Sequence, residues 1–151
     1  GRCRKNLPLH DAGEHRFMAK TKLTRDDAYE EMASTYQCLQ IDALNTALKE
    51  NGIDDAALRR KICEQFSFAM GNFHDQYWFD SEGQRIHPLL CFSSRFLNVD
   101  TDINELGDVY APSDCFAYHE YAFGNNAWYF DENNEDATEI QHGVFEGDDH
   151  S

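Results

Sequence analysis

Seven histidines and five cysteines supply the side chains best suited to chemistry near neutral pH. No two of the histidines, His10, His15, His74, His87, His119, His142 and His150, share a spacing that defines a metal site. Cys3, Cys38, Cys63, Cys91 and Cys115 lie 24 to 35 residues apart without a C-x-x-C. That spacing, with an odd total, predicts small apolar packing residues rather than a zinc knuckle or a disulfide framework. Asp100-Thr101-Asp102-Ile103-Asn104 starts like a calcium loop, but Glu105 stands where the turn needs Gly and Ala111 where a bidentate Glu is needed. Glycine-rich phosphate loops and a G-x-S-x-G nucleophile elbow are absent. Adjacent acids such as Asp26-Asp27 and Asp54-Asp55 read as caps and surface charge before they read as a glycosidase pair. No catalytic residue, metal ligand or cofactor site is therefore assigned from motifs.

His119 is the histidine best placed for work. Alternation along Cys115–Phe123 puts it on the side of Ala117, Tyr121 and Phe123, with Tyr118 and Glu120 on the other. If Asn125-Asn126 makes a two-residue turn, Phe123 faces Trp128, Tyr121 faces Phe130 and His119 faces Glu132. A buried His beside a carboxylate is either a core residue hydrogen-bonded to its neighbour or a general base or metal ligand. The candidate pocket or interaction residues are thus His87, Tyr118, His119, Tyr121, Trp128 and Glu132, with His74-Asp75 joining them if the sheet brings it near.

Periodicity supplies the elements that must hold these groups. Thr24 reads as an N-cap ahead of Arg25-Asp26-Asp27, and Tyr29, Met32, Tyr36, Leu39, Ala43 and Ala47 recur at helical spacing. A first helix is expected over about 25 to 50, stopped by Asn51-Gly52, with Ile53 packing back on its last turn. A second, capped by Asp54 or Asp55, presents Leu58, Ile62, Phe66, Ala69 and Phe73 as its core stripe, with Gly71 near its end. Ile41, Leu44 and Leu48 give the first helix a second apolar side, to be covered by the sheet, by the second helix or by a second subunit in a homodimer.

Beyond residue 75 the composition turns aromatic, 16 of the 20 aromatic residues lying between Phe66 and Phe130, which favours strands. One β-hairpin is expected from Gln76–Asp80 and Gln84–Phe92 around Ser81-Glu82-Gly83. A three-residue loop there pairs Trp78 with Ile86 and Tyr77 with His87, and Pro88 confines the segment to a sheet edge or strand end. A second hairpin is expected from Cys115–Phe123 and Ala127–Asp131, after a long connection over 97–114. Helices first and strands afterwards predict an α+β fold, an N-terminal antiparallel helical hairpin packed on an antiparallel sheet of about four or more strands. An irregular basic arm over 1–17 precedes a single domain over 18–131, and 132–151 forms an acidic tail that docks in part through Ile140, Val144 and Phe145.

Charge bounds the partners. The net is −15, and after Arg95 there are 14 acids and no base. Direct binding to nucleic acid or an anionic membrane needs clustered Lys and Arg, which this surface lacks. No apolar run is long enough to span a bilayer, and the first residues lack the apolar stretch of a secretory signal, so a cytoplasmic chain is expected. Two readings of function follow. The first is a non-enzymatic interaction or inhibitor module that binds a basic partner through an acidic, aromatic face. The second is a small ligand-binding protein or enzyme with a pocket between sheet and helices, using His119 or His87.

Overall fold

β1 (Lys22–Thr24) opens the computed structural model, which describes residues 19–147; the arm expected over 1–17 and the last residues of the tail lie outside the described residues. Thr24 ends this strand, its hydroxyl donating to Asp108 Oδ1 at 3.0 Å, and so is not the helix cap expected. Asp26 takes that part by accepting from Ala28 N at 2.9 Å, and α1 runs Ala28–Glu50. At its end Gly52 adopts φ +83° and Ile53 N returns to Leu48 O. α2 runs Ala56–Gln76, with the Asp55 carboxylate accepting from Ala57 N and Leu58 N.

The buried faces of both helices differ from the expected ones. α1 buries Tyr29, Ala33, Gln37, Ile41 and Asn45, while Tyr36, Ala43 and Ala47 are exposed. α2 buries Arg59, Cys63, Ser67 and Gly71, leaving Leu58, Phe66 and Phe73 43%, 45% and 38% exposed. Cys38 is buried beside the α1 series, and apart from Ile41 both four-residue series hold small or hydrogen-bonding side chains. The reason is approach distance. A Cβ on Gly71 would lie 2.6 Å from the backbone nitrogen of His119, so only Gly lets that segment lie against α2. Cys63 Sγ meets Ile41 O, and Arg59 Nε donates to Asn45 Oδ1 at 2.9 Å, so the two helices touch through these stripes.

The fold is mixed α+β, but the strands form two small sheets instead of one antiparallel sheet of four or more. β1, β5 (Asp108–Tyr110) and β4 (Phe92–Ser93) make a three-stranded sheet in the order β1-β5-β4. β1 and β5 are parallel with Leu23 opposite Val109, and β4 and β5 are antiparallel with Phe92 opposite Tyr110. Its central strand comes from the long connection over 97–114, too short and too polar to be read as a strand. Phe92 and Tyr110 pack on Tyr29, Ala33 and Tyr118, which places this sheet against the first turns of α1.

β2 (Phe79–Ser81) and β3 (Gln84–Ile86) form the other sheet. Phe79 pairs with Ile86, one residue out from the expected Trp78 pairing, because Glu82 and Gly83 make a two-residue turn with φ +50° and +81°. His87 and Pro88 fall beyond the ladder.

The expected second β-hairpin is replaced by helical turns. Tyr118–Tyr121 forms a 3₁₀ turn, α3 runs Ala122–Ala127, and Trp128–Glu132 is a turn of π-helix. Tyr118, Ala122, Asn126 and Tyr129 are each no more than 1% exposed, and their spacing is that of one helical face. The aromatic content favours strands and masks that spacing, and Gly124-Asn125-Asn126 is part of a helix, not a turn. Beyond it, Ala137 is buried with Ile41, Cys63 and Tyr129, and Ile140 packs on the same cluster.

Candidate functional site

Asp75, in the last turn of α2, and His119, in the 3₁₀ turn, form the closest pair of chemically active groups in the site region. His119 Nδ1 lies 2.5 Å from Asp75 Oδ2. The same carboxylate accepts from Tyr118 N at 2.7 Å and from His119 N at 2.9 Å. It therefore caps a helical turn whose N-cap residue, Ala117, offers no side-chain acceptor. Facing a carboxylate, Nδ1 of His119 is the donor, so in the neutral ring Nε2 carries the lone pair. Phe68 stands edge-on to the ring at 5.3 Å.

His74, next in sequence, sits edge-on to Tyr118 at 5.7 Å, with Nδ1 buried and without a hydrogen-bond partner. Burial lowers its pKa from the ordinary value, against the opposing pull of Asp75. Tyr118 is 1% exposed and donates its hydroxyl to Gln40 Oε1 at 3.0 Å. Burial, reinforced by neighbouring Tyr36 and Tyr29, raises its pKa far above the ordinary phenol value.

The sequence-derived candidates thus separate. Tyr118 and His119 belong to one cluster, with Asp75 where Glu132 was expected; Glu132 is exposed. Tyr121 is half-buried and stacked on Phe116 at 5.2 Å, and Trp128 packs against the other core cluster. His87 is exposed beyond β3. A groove of about 470 Å³ does lie between helix and sheet, lined by Met32, Tyr36 and Leu39 of α1 and Phe92 of β4, but neither His119 nor His87 borders it. Cys115 is disulfide-bonded, against the expectation of five packing thiols, while Cys38, Cys63 and Cys91 are free. Burial pushes the Cys38 and Cys63 thiols up to about 11, which makes them poor nucleophiles.

A second polar constellation escaped the sequence reading altogether. Arg59, 6% exposed, donates to Asn45, to Ile53 O at 2.7 Å and to both carboxylate oxygens of Glu135 at 3.0 Å. Lys49 Nζ reaches Glu135 Oε2 at 2.7 Å, and Tyr129 Oη donates to Asp42 Oδ1 at 2.6 Å. Burial works to raise the Glu135 pKa, but the hydrogen bonds from Lys49, Asn45 and Arg59 together hold it below its ordinary value. The network is satisfied from all sides and locks the chain after the π-turn, where Asn134 and Glu135 take φ +54° and +61°. Its only sequence signal is the four-residue step from Ile41 to Asn45 and from Arg59 to Cys63.

Among the described residues no group of three or more His, Cys, Asp and Glu could hold a metal ion, and no helix is long and apolar enough to cross a membrane. Neither a protein-family model, nor a curated protein, nor a solved structure matches the chain.

Proposed function

We propose that the protein is a non-enzymatic interaction module that binds a basic partner through its base-free C-terminal third. One observation carries the reading: Asp131, Glu132, Asp136 and Glu139 are all exposed within nine residues, in a stretch of sequence without a single Lys or Arg. Three of the acids after Arg95 are matched by bases from the first half of the chain, Asp114 by Arg25, Asp131 by Arg60 and Glu135 by Arg59 and Lys49. Phe123, 56% exposed, supplies an aromatic contact in the same third; Tyr118, being buried, drops out of the face. Attraction between exposed charges is screened beyond about 8 Å at physiological ionic strength, so such binding falls steeply with salt.

The test is capture from the native host's lysate on the immobilised chain, with stepwise salt elution. The expected result is a basic protein released at moderate salt and lost when Glu132→Lys, Asp136→Lys and Glu139→Lys are combined. Capture that ignores both salt and these substitutions overturns the reading. A ligand-binding or general-base role stands second, favoured by the free lone pair of His119 opposite Asp75.

A further inference from the structure

α2 carries a complete apolar stripe on its outer side. Leu58, Ile62, Phe66, Ala69 and Phe73 follow one another at steps of three and four, the first three each one residue ahead of the buried Arg59, Cys63 and Ser67. Tyr77 continues it, its ring 4.3 Å from that of Phe73, and Trp78 and Phe79 lead into a β-hairpin whose two strands are exposed throughout. An isolated two-stranded hairpin is marginal in water, and monomers seldom leave so many large side chains open.

We propose that the occupant of this face is a second copy of the chain, with α2 of each copy packed antiparallel about a two-fold axis beside Phe66. Two features of the face select a copy over an unrelated partner. The first is its internal symmetry. Reversing the stripe end for end superposes Leu58 on Phe73 and Ile62 on Ala69, with Phe66 at the centre, so large meets smaller at each off-axis level. A two-fold interface requires such a self-complementary patch. The second is area. Phe66, Phe73, Tyr77 and Phe79 are 45%, 38%, 48% and 54% exposed, while Trp78 turns to the other side of the extended segment, where Arg85 lies 4.2 Å over its ring. At roughly 200 Å² for an aromatic side chain the four offer about 370 Å², and Leu58 with Ile62 brings the face to about 450 Å². A standard interface buries about 800 Å² per partner, about 65% apolar in homodimers, so the face supplies most of the apolar part of one. Antiparallel packing also sets the two helix dipoles in opposition.

The inference stands apart from the acidic face, since apolar association persists in high salt where binding of a basic partner does not. Sedimentation equilibrium of the full chain over a concentration series, at low and high salt, should give a monomer–dimer equilibrium at both. Phe66→Ser should weaken it by roughly thirtyfold or more, as expected for an aromatic at the centre of an interface, while leaving the circular dichroism unchanged. Leu58→Arg and Phe73→Glu should each prevent the dimer alone, and mixing the two should restore it, because one charged pair and one native Leu58–Phe73 pair then face each other. A wild-type chain that stays monomeric, a larger or open-ended assembly, a dimer indifferent to Phe66→Ser, or a mixture that stays monomeric overturns the inference.

Discussion

Arg59 is the side chain on which most polar contacts converge, and it belongs to a charge type that rarely leaves the surface. Its guanidinium is matched by Asn45, Ile53 O and Glu135, leaving little unsatisfied. Removing one partner of such a pair strands the other, so Arg59→Ala should cost about 3–5 kcal/mol in urea unfolding. Lys49→Ala, which takes away a half-exposed partner of the same carboxylate, should cost no more than about 1 kcal/mol. Equal losses would mean that burial is not what distinguishes the two cations. At this scale the sequence was only partly legible. His119 could be singled out by its neighbours, but its partner lies 44 residues away, and no local pattern joins Asp75 to it. Gln37, Asn45 and Arg59 were invisible as core residues because a polar residue on a helix is ordinarily solvated.

α2 was recognised as an element, and its orientation was not. Apolar periodicity marks a stripe that avoids water, but it does not say which neighbour covers it. What packs inward is instead the thin edge of the helix, ending in Gly71 against the backbone of His119. Gly71→Ala should force the 3₁₀ turn off α2, costing about 1–3 kcal/mol as overpacking and shifting the His119 ring resonances by NMR; an unchanged spectrum would refute the close approach. The segment 118–132 fails differently. Its aromatic residues favour strands, yet Tyr118, Ala122 and Tyr129 are spaced to bury one helical face, and tertiary contact decided between the two signals. The β2–β3 turn was legible because Gly83 permits positive φ, although register depended on whether Ser81 or Glu82 began the loop.

Taken as a whole, the molecule should be least stable in acid. Burial holds the folded His74 pKa below 6.5, so the unfolded chain takes up a proton that the folded chain resists. Stability is complete above that value and falls as pH drops through it. Glu135, its folded pKa held below 4.5, adds a second loss at lower pH, when the partner of Arg59 and Lys49 is discharged. Thermal melts from pH 8 to pH 4 should decline in this order, and His74→Gln should remove the upper step; a flat profile between pH 7 and pH 5 would contradict it. The class of fold was legible in the order of helices and strands, but the sheet topology was not, because two- and three-residue strands carry no alternation to read.

The parallel pairing of β1 with β5 bears on how the chain comes to be folded. Lys22 meets Asp108 and Thr24 meets Tyr110, so both long helices lie inside the loop that this pairing closes. β4 joins the sheet only through β5, and neither outer strand has an edge to rest on until residue 110 has been made. Local helix formation is fast, and closing so long a loop is slow. During synthesis α1 and α2 therefore stand as formed helices with their apolar stripes open while the sheet waits for its middle strand.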